Sequence, residues 1–191
     1  VSERSEAAAH DVVDLLLRQH AEIRQLFDQV EAAAGHERTA AFERLRRLLA
    51  VHETAEEEVV HPYARRHIEG GREVVDARLA EENQAKQLLS DLDYFGPTSP
   101  DFLQRLGDLR LSVMDHARHE EEAEFPQLRE HASEHDLRRM ATAVKAAEAV
   151  APTHPHVGFE SATANLVAGP FAAAADRARD AIRKALSRQK D

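Results

Sequence analysis

The sequence contains no cysteine and no tryptophan, only 7 glycines and 7 prolines, and few aromatic residues, which fill 5% of its 191 positions. Without cysteine there is no disulfide, no thiolate-held iron–sulfur cluster or zinc site and no cysteine nucleophile, so any metal must be bound through nitrogen and oxygen. Scarce glycine and proline beside abundant Ala, Leu, Glu and Arg favour helix over sheet. No apolar run approaches the length needed to span a bilayer. The opening VSERSEAAAHD has no basic segment followed by an apolar one, so the expectation is a cytoplasmic protein with no membrane partner. Basic residues are also in deficit, 25 Lys and Arg against 35 Asp and Glu; the net charge of −10 argues against nucleic acid as a partner. The length fits one domain with room for an appendage.

What is present is helical periodicity. Apolar residues at steps of three and four run from Val13 through His20 to Val30 and fade at Gly35, then from Phe42 through His52 and Glu56 to Tyr63, stopping at Gly70 and Gly71. A third pattern spans about Arg72 to Phe95 and ends at the turn GPTSP, where Ser99 reads as an N-cap with Pro100 at the first helical position. The fourth passes through Phe102, Leu109, His116 and Glu120. Connections this short make successive helices antiparallel. The expected fold is all-α, an antiparallel up-down-up-down four-helix bundle over residues 1–132, with additional C-terminal helices in a 133–191 extension that packs on it. Ser133 and Asp136 resemble a capping box opening that extension. From Asp176 to Asp191 the chain carries six Lys or Arg against three Asp, a basic stretch suited to docking on the acidic bundle or on an anionic membrane, the bundle being favoured because the stretch's apolar face is mostly alanine.

One block occurs twice: His-x3-Glu-Glu-Glu-x3-Pro, as HETAEEEVVHP (His52 to Pro62) and HARHEEEAEFP (His116 to Pro126). On an α-helix a residue and its fourth successor are about 40° apart around the axis and about 6 Å apart along it. His52 with Glu56, and His116 with Glu120, can therefore each aim an imidazole and a carboxylate at one point. These four and His20 occupy positions where the periodicity calls for apolar residues. Burying such groups unpartnered costs several kcal/mol, and a metal cluster of iron, manganese or zinc in the bundle core would compensate all of them together. The third helix has no histidine; Glu82 lies on its apolar face and is the expected ligand there, with Glu81, one step off, as its competitor.

Ferritin-like sites need Glu-x-x-His on two helices, and only Glu58 to His61 fits that spacing. The His-x3-Glu pairs, together with QHAEIRQLF around His20, instead resemble the hemerythrin-like, or HHE cation-binding, family over roughly residues 10 to 130. The resemblance implies a four-helix bundle holding two non-haem irons, with terminal histidines at His20, His52 and His116 and bridging carboxylates at Glu56 and Glu120. It implies a small diatomic or peroxide ligand (O2, peroxide or NO). Alternatives are a di-iron enzyme with catalase-like, peroxidase or ferroxidase activity, and an iron-holding or iron-sensing protein; manganese or zinc would also suit the donors. The family usually has a histidine on the third helix, where this chain reads AEENQAKQLL. A glutamate there makes the site richer in oxygen and shifts the expected chemistry from reversible O2 binding toward oxidation.

Other residues take lesser roles. Glu53, about 100° from His52, is a further candidate, and His154 or His156 from THPHVGFE could fold back to supply an imidazole. Glu57, Glu58, Glu121 and Glu122 are expected on wet flanks, and His119 beside the site or exposed. Tyr63 is expected to pack or to hydrogen-bond near the site. His10, His36, His61, His67, His131 and His135 show no partner pattern and are expected to face water. Pro62 and Pro126 strip a backbone donor from a helix interior, which predicts a bend at each.

Overall fold

The computed structural model describes residues 11–150 and 169–189. His10, His154 and His156 lie outside the described residues. The first bundle helix, α1 (Val12–Ala32), opens where the Asp11 carboxylate accepts from the Asp14 N–H at 2.9 Å. The second is built from α2 (Gly35–Ala55), a π-helical turn (Glu56–Val60) and α3 (His61–His67). It turns at Gly70, whose φ of 61° suits glycine, into α4 (Gly71–Phe95). Gly71 packs tightly here, for a Cβ on it would come within 2.3 Å of the Ala64 carbonyl oxygen. The fourth repeats the second's construction: α5 (Phe102–His119), a π-helical turn (Glu120–Glu124) and α6 (Phe125–His131). All four run antiparallel in sequence order, as expected for an all-α bundle.

One local expectation needs correction. The α5 helix starts at Phe102, not at Pro100; Ser99 contributes its carbonyl oxygen, which accepts from the Phe102 N–H at 3.1 Å and closes a turn. The response to Pro62 and Pro126 is a π-turn before each proline. The His61 N–H reaches back five residues to the Glu56 carbonyl, and the Phe125 N–H to that of Glu120. A π-turn adds one residue to the helical circuit, so everything beyond it is rotated by about 100° relative to an uninterrupted α-helix.

Beyond the four helices, α7 (Glu134–Val150) begins at Ser133, whose hydroxyl oxygen accepts from the Asp136 N–H at 3.1 Å and donates to its carboxylate at 2.7 Å. The last helix, α8 (Gly169–Arg188), packs against α7 and α2, and α7 packs against α1. Arg179 of the basic stretch meets Glu58 at 2.7 Å. Among the described residues no helix is long and apolar enough to cross a membrane.

The apolar interior comes in two main parts. One joins Val12, Leu16, Val51, Val60, Phe125 and Leu128 to Val144, Ala178 and Ile182 of the last two helices. The other, at the far end of the bundle, holds Phe27, Phe42, Leu45, Leu89, Phe102 and Leu106. Between them lies a layer of buried polar side chains.

Candidate metal centre

That layer contains His20, His52, Glu56, Glu82, His116 and Glu120, each at most 6% exposed. Their atoms form two overlapping groups. His20, His52, Glu56 and Glu120 offer one nitrogen or oxygen each within 4.8 Å of one another; Glu56, Glu82 and His116 do the same, so Glu56 is common to both. Each bundle helix supplies at least one of the six. Such helix-borne nitrogens and oxygens are the donor set of intermediate transition metals.

The three imidazoles are held from behind. The Gln19 amide nitrogen donates to Glu148 at 2.9 Å, which turns its oxygen toward His52 Nδ1 at 2.8 Å. His20 Nδ1 donates to Glu121 at 2.8 Å, and His116 Nδ1 to Glu81 at 3.1 Å. For Glu121, burial pushes the carboxyl up, but hydrogen bonds from Arg24 and His20 outweigh it and hold the group below its ordinary range. Burial acts the same way on Glu81, and hydrogen bonding from His116 and the charge of Arg78 bring it down. With Nδ1 carrying the proton on each ring, the Nε2 lone pairs point inward. Those of His20 and His52 face each other at 3.1 Å, where two lone pairs repel unless a cation or a proton intervenes.

The carboxylates tell the same story. Both oxygens of Glu56, both of Glu120 and Nε2 of His116 are buried without a hydrogen-bond partner. Contacts to the imidazoles are long: His20 Nε2 to Glu120 and His52 Nε2 to Glu56 at 3.3 Å, His116 Nε2 to Glu120 at 3.4 Å. Burial and the neighbouring Glu120 charge raise the Glu56 carboxyl well above its usual range. Burial likewise disfavours charge on Glu120, yet the imidazoles of His116 and His20 hold it below its usual value. His116 is raised well above an ordinary histidine, the charge of Glu120 overcoming burial, while burial and His20 lower His52. Five buried carboxylates, Glu53, Glu56, Glu82, Glu120 and Glu124, crowd this region. Leaving them uncompensated would cost several kcal/mol each. A metal ion would fit these residues: it would satisfy the orphaned oxygens, separate the facing nitrogens and supply the missing positive charge.

The remaining side chains fall into place around the layer. Glu82 points inward and Glu81 outward, where Glu81 also accepts from half-buried His119 at 2.9 Å. Glu53 is buried and raised to about 8, burial outweighing the opposing charge of Lys86; it joins neither group of converging atoms. Glu57, Glu58 and Glu121 are half-buried and Glu122 is exposed. Tyr63 stacks on His67, ring centroids 4.0 Å apart.

The expectation for His61 is overturned. Instead of facing water it is 2% exposed, with Nε2 2.6 Å from Glu82 and Nδ1 3.3 Å from Glu124. Burial disfavours its charge, but hydrogen bonds to Glu124 and Glu82 lift it to about 10. Glu124, fully buried, and Gln19 were not singled out in the sequence. On a straight α-helix His61 would lie about 180° from His52, and Glu124 about 80° from His116. The π-turns remove about 100° from each angle and swing both residues inward. A proline six residues after the block's Glu was the available signal. His36, His67, His131 and His135 are exposed as expected.

A bundle with imidazoles and carboxylates converging on a buried layer belongs to the helical metal-binding proteins. The hemerythrin HHE cation-binding domain model matches residues 11–128, and the chain belongs to that family. It is 26% identical over 176 residues to an uncharacterised hemerythrin-like protein of Schizosaccharomyces pombe, covering 91% of this chain and 87% of that one. It is 28% identical over 151 residues to a DNA nickase of a Nostoc species, spanning 78% of this chain but 42% of the nickase. The crystal structure of a hemerythrin HHE cation-binding domain-containing protein from Mycobacterium kansasii has the same fold, with a TM-score of 0.67 at 20% identity, covering 92% of this chain and 99% of that one.

Proposed function

We propose that the protein is a hemerythrin-like non-haem di-iron protein that binds or reacts with a small oxidant such as O2, peroxide or nitric oxide. His20, His52, Glu56, Glu82, His116 and Glu120 would hold the two irons, with Glu56, common to both groups of converging atoms, shared between them. The observation that carries this reading is the set of orphaned, fully buried oxygens on Glu56 and Glu120 facing three imidazoles with fixed tautomers. A pair of irons would supply electrons and an open coordination position. The chain's own part is to orient the donors and exclude water. A cavity of about 10 Å³ borders His20, His52 and His116 and is otherwise walled mainly by apolar side chains, among them Ile23, Leu49, Val113 and Met114. That is the room of about one water-sized sphere.

A second reading, peroxide turnover or ferroxidase activity, is favoured by Glu82, which makes the donors richer in oxygen than a histidine would. Metal analysis, anaerobic reduction and optical spectra on adding O2, peroxide or nitric oxide test both. A visible charge-transfer band that forms with O2 and reverses supports carriage; many cycles of peroxide loss per site support the enzyme. Protein that takes up no iron would refute every iron reading; iron-loaded protein silent to all three would refute both and leave iron holding.

A further inference from the structure

The three imidazoles of the centre each have an acceptor behind them: Glu121, Gln19 and Glu81. A carboxylate in the same role needs the opposite, a donor, and Glu82 has one. His61 Nε2 lies 2.6 Å from Glu82 Oε1, far closer than Lys86 Nζ, which is 3.5 Å from Oε2. On its other side His61 Nδ1 lies 3.3 Å from Glu124 Oε1. A carboxylate accepts, so the short contact has the ring donating from Nε2 to Glu82. All three side chains are at most 3% exposed. Packing alone does not call for an imidazole here, because the corresponding position of the second block is Phe125, which stacks on His20 with ring centroids 5.6 Å apart.

We propose that His61 is the positioning residue of Glu82, holding one oxygen of its carboxylate and thereby aiming the group at the metal centre, with Glu124 anchoring the ring from behind. This rests on Glu82 being a metal ligand. The third bundle helix thus presents a carboxylate, and the first block carries the donor that orients it.

The test uses the full chain loaded with cobalt(II), whose visible bands report coordination number, compared among wild type, His61→Phe, His61→Gln and Glu124→Gln. Circular dichroism checks the fold. Loss of an outer hydrogen-bond partner weakens metal binding by about 10- to 100-fold. His61→Phe is expected to weaken one of two cobalt ions by that range and to change its bands. His61→Gln, which keeps a donor, should recover part of both, and Glu124→Gln should shift the bands in the same sense by less. Wild-type affinity and bands in His61→Phe overturn the proposal. If that variant does not fold, unchanged bands in both His61→Gln and Glu124→Gln overturn it instead. Wild-type protein that binds no cobalt refutes the metal reading itself, a distinct result.

Discussion

The two His-x3-Glu-Glu-Glu-x3-Pro blocks share spacing, a π-turn and a histidine–glutamate pair in the buried layer, yet they diverge in their last residues. The first has Val60 and His61 where the second has Glu124 and Phe125. Across the bundle His61 meets Glu124, and Phe125 stacks on His20. The repeated half of each block supplies the centre. The divergent half supplies its surroundings, and there the first block serves the third helix while the second serves the first.

The sharpest way to break that comparison is to remove the shared carboxylates one at a time. Glu56 belongs to both groups of converging atoms and Glu120 to one. Glu56→Ala should therefore abolish metal binding, Glu120→Ala should lose at least one ion, and Glu122→Ala, on the exposed flank, should bind as wild type. Elemental analysis of purified protein reads all three, and equal binding throughout would remove the proposed ligand set.

Chelation comes next. A ligand at about 1,000 times its dissociation constant adds about 4 kcal/mol to stability, and about 2–4 °C accompanies each kcal/mol in a chain of this size. The metal-free protein should melt about 10 °C lower by calorimetry, with metal loss confirmed. Equal melting temperatures would separate the blocks from any buried metal. Metal affinity should also fall as pH falls. Glu56 and His116 are both shifted upward, so lowering the pH fills their proton sites and metal must then displace those protons. A titration at several pH values checks the sign.

The blocks also end differently, and two smaller effects follow. After the first, α4 opens at Gly71, where an added Cβ meets the Ala64 carbonyl oxygen. Gly71→Ala should cost about 1–3 kcal/mol in urea unfolding. After the second, Ser133 caps α7, and Ser133→Ala should cost about 1 kcal/mol. A larger loss at Ser133 than at Gly71 would reverse the ranking of the two ends.

Much of this was legible along the chain. Steps of three and four fixed four helices and an inward face, and they put His20, His52, Glu56, Glu82, His116 and Glu120 on it before any fold was drawn, because an α-helix maps sequence spacing onto angle. The same rule misdirected His61 and passed over Glu124, since a π-turn changes the angle per residue downstream of it. Which nitrogen of each imidazole points inward was also out of reach. That depends on Gln19, Glu81 and Glu121, and for Gln19 on Glu148 of α7, partners 101 residues away for His20 and 129 for Gln19. The sequence by itself determined which side chains face the core along the regular α-helical stretches, through local periodicity. Only the tertiary structure decided how those side chains are oriented, because hydrogen bonds between helices depend on contacts that no local spacing encodes.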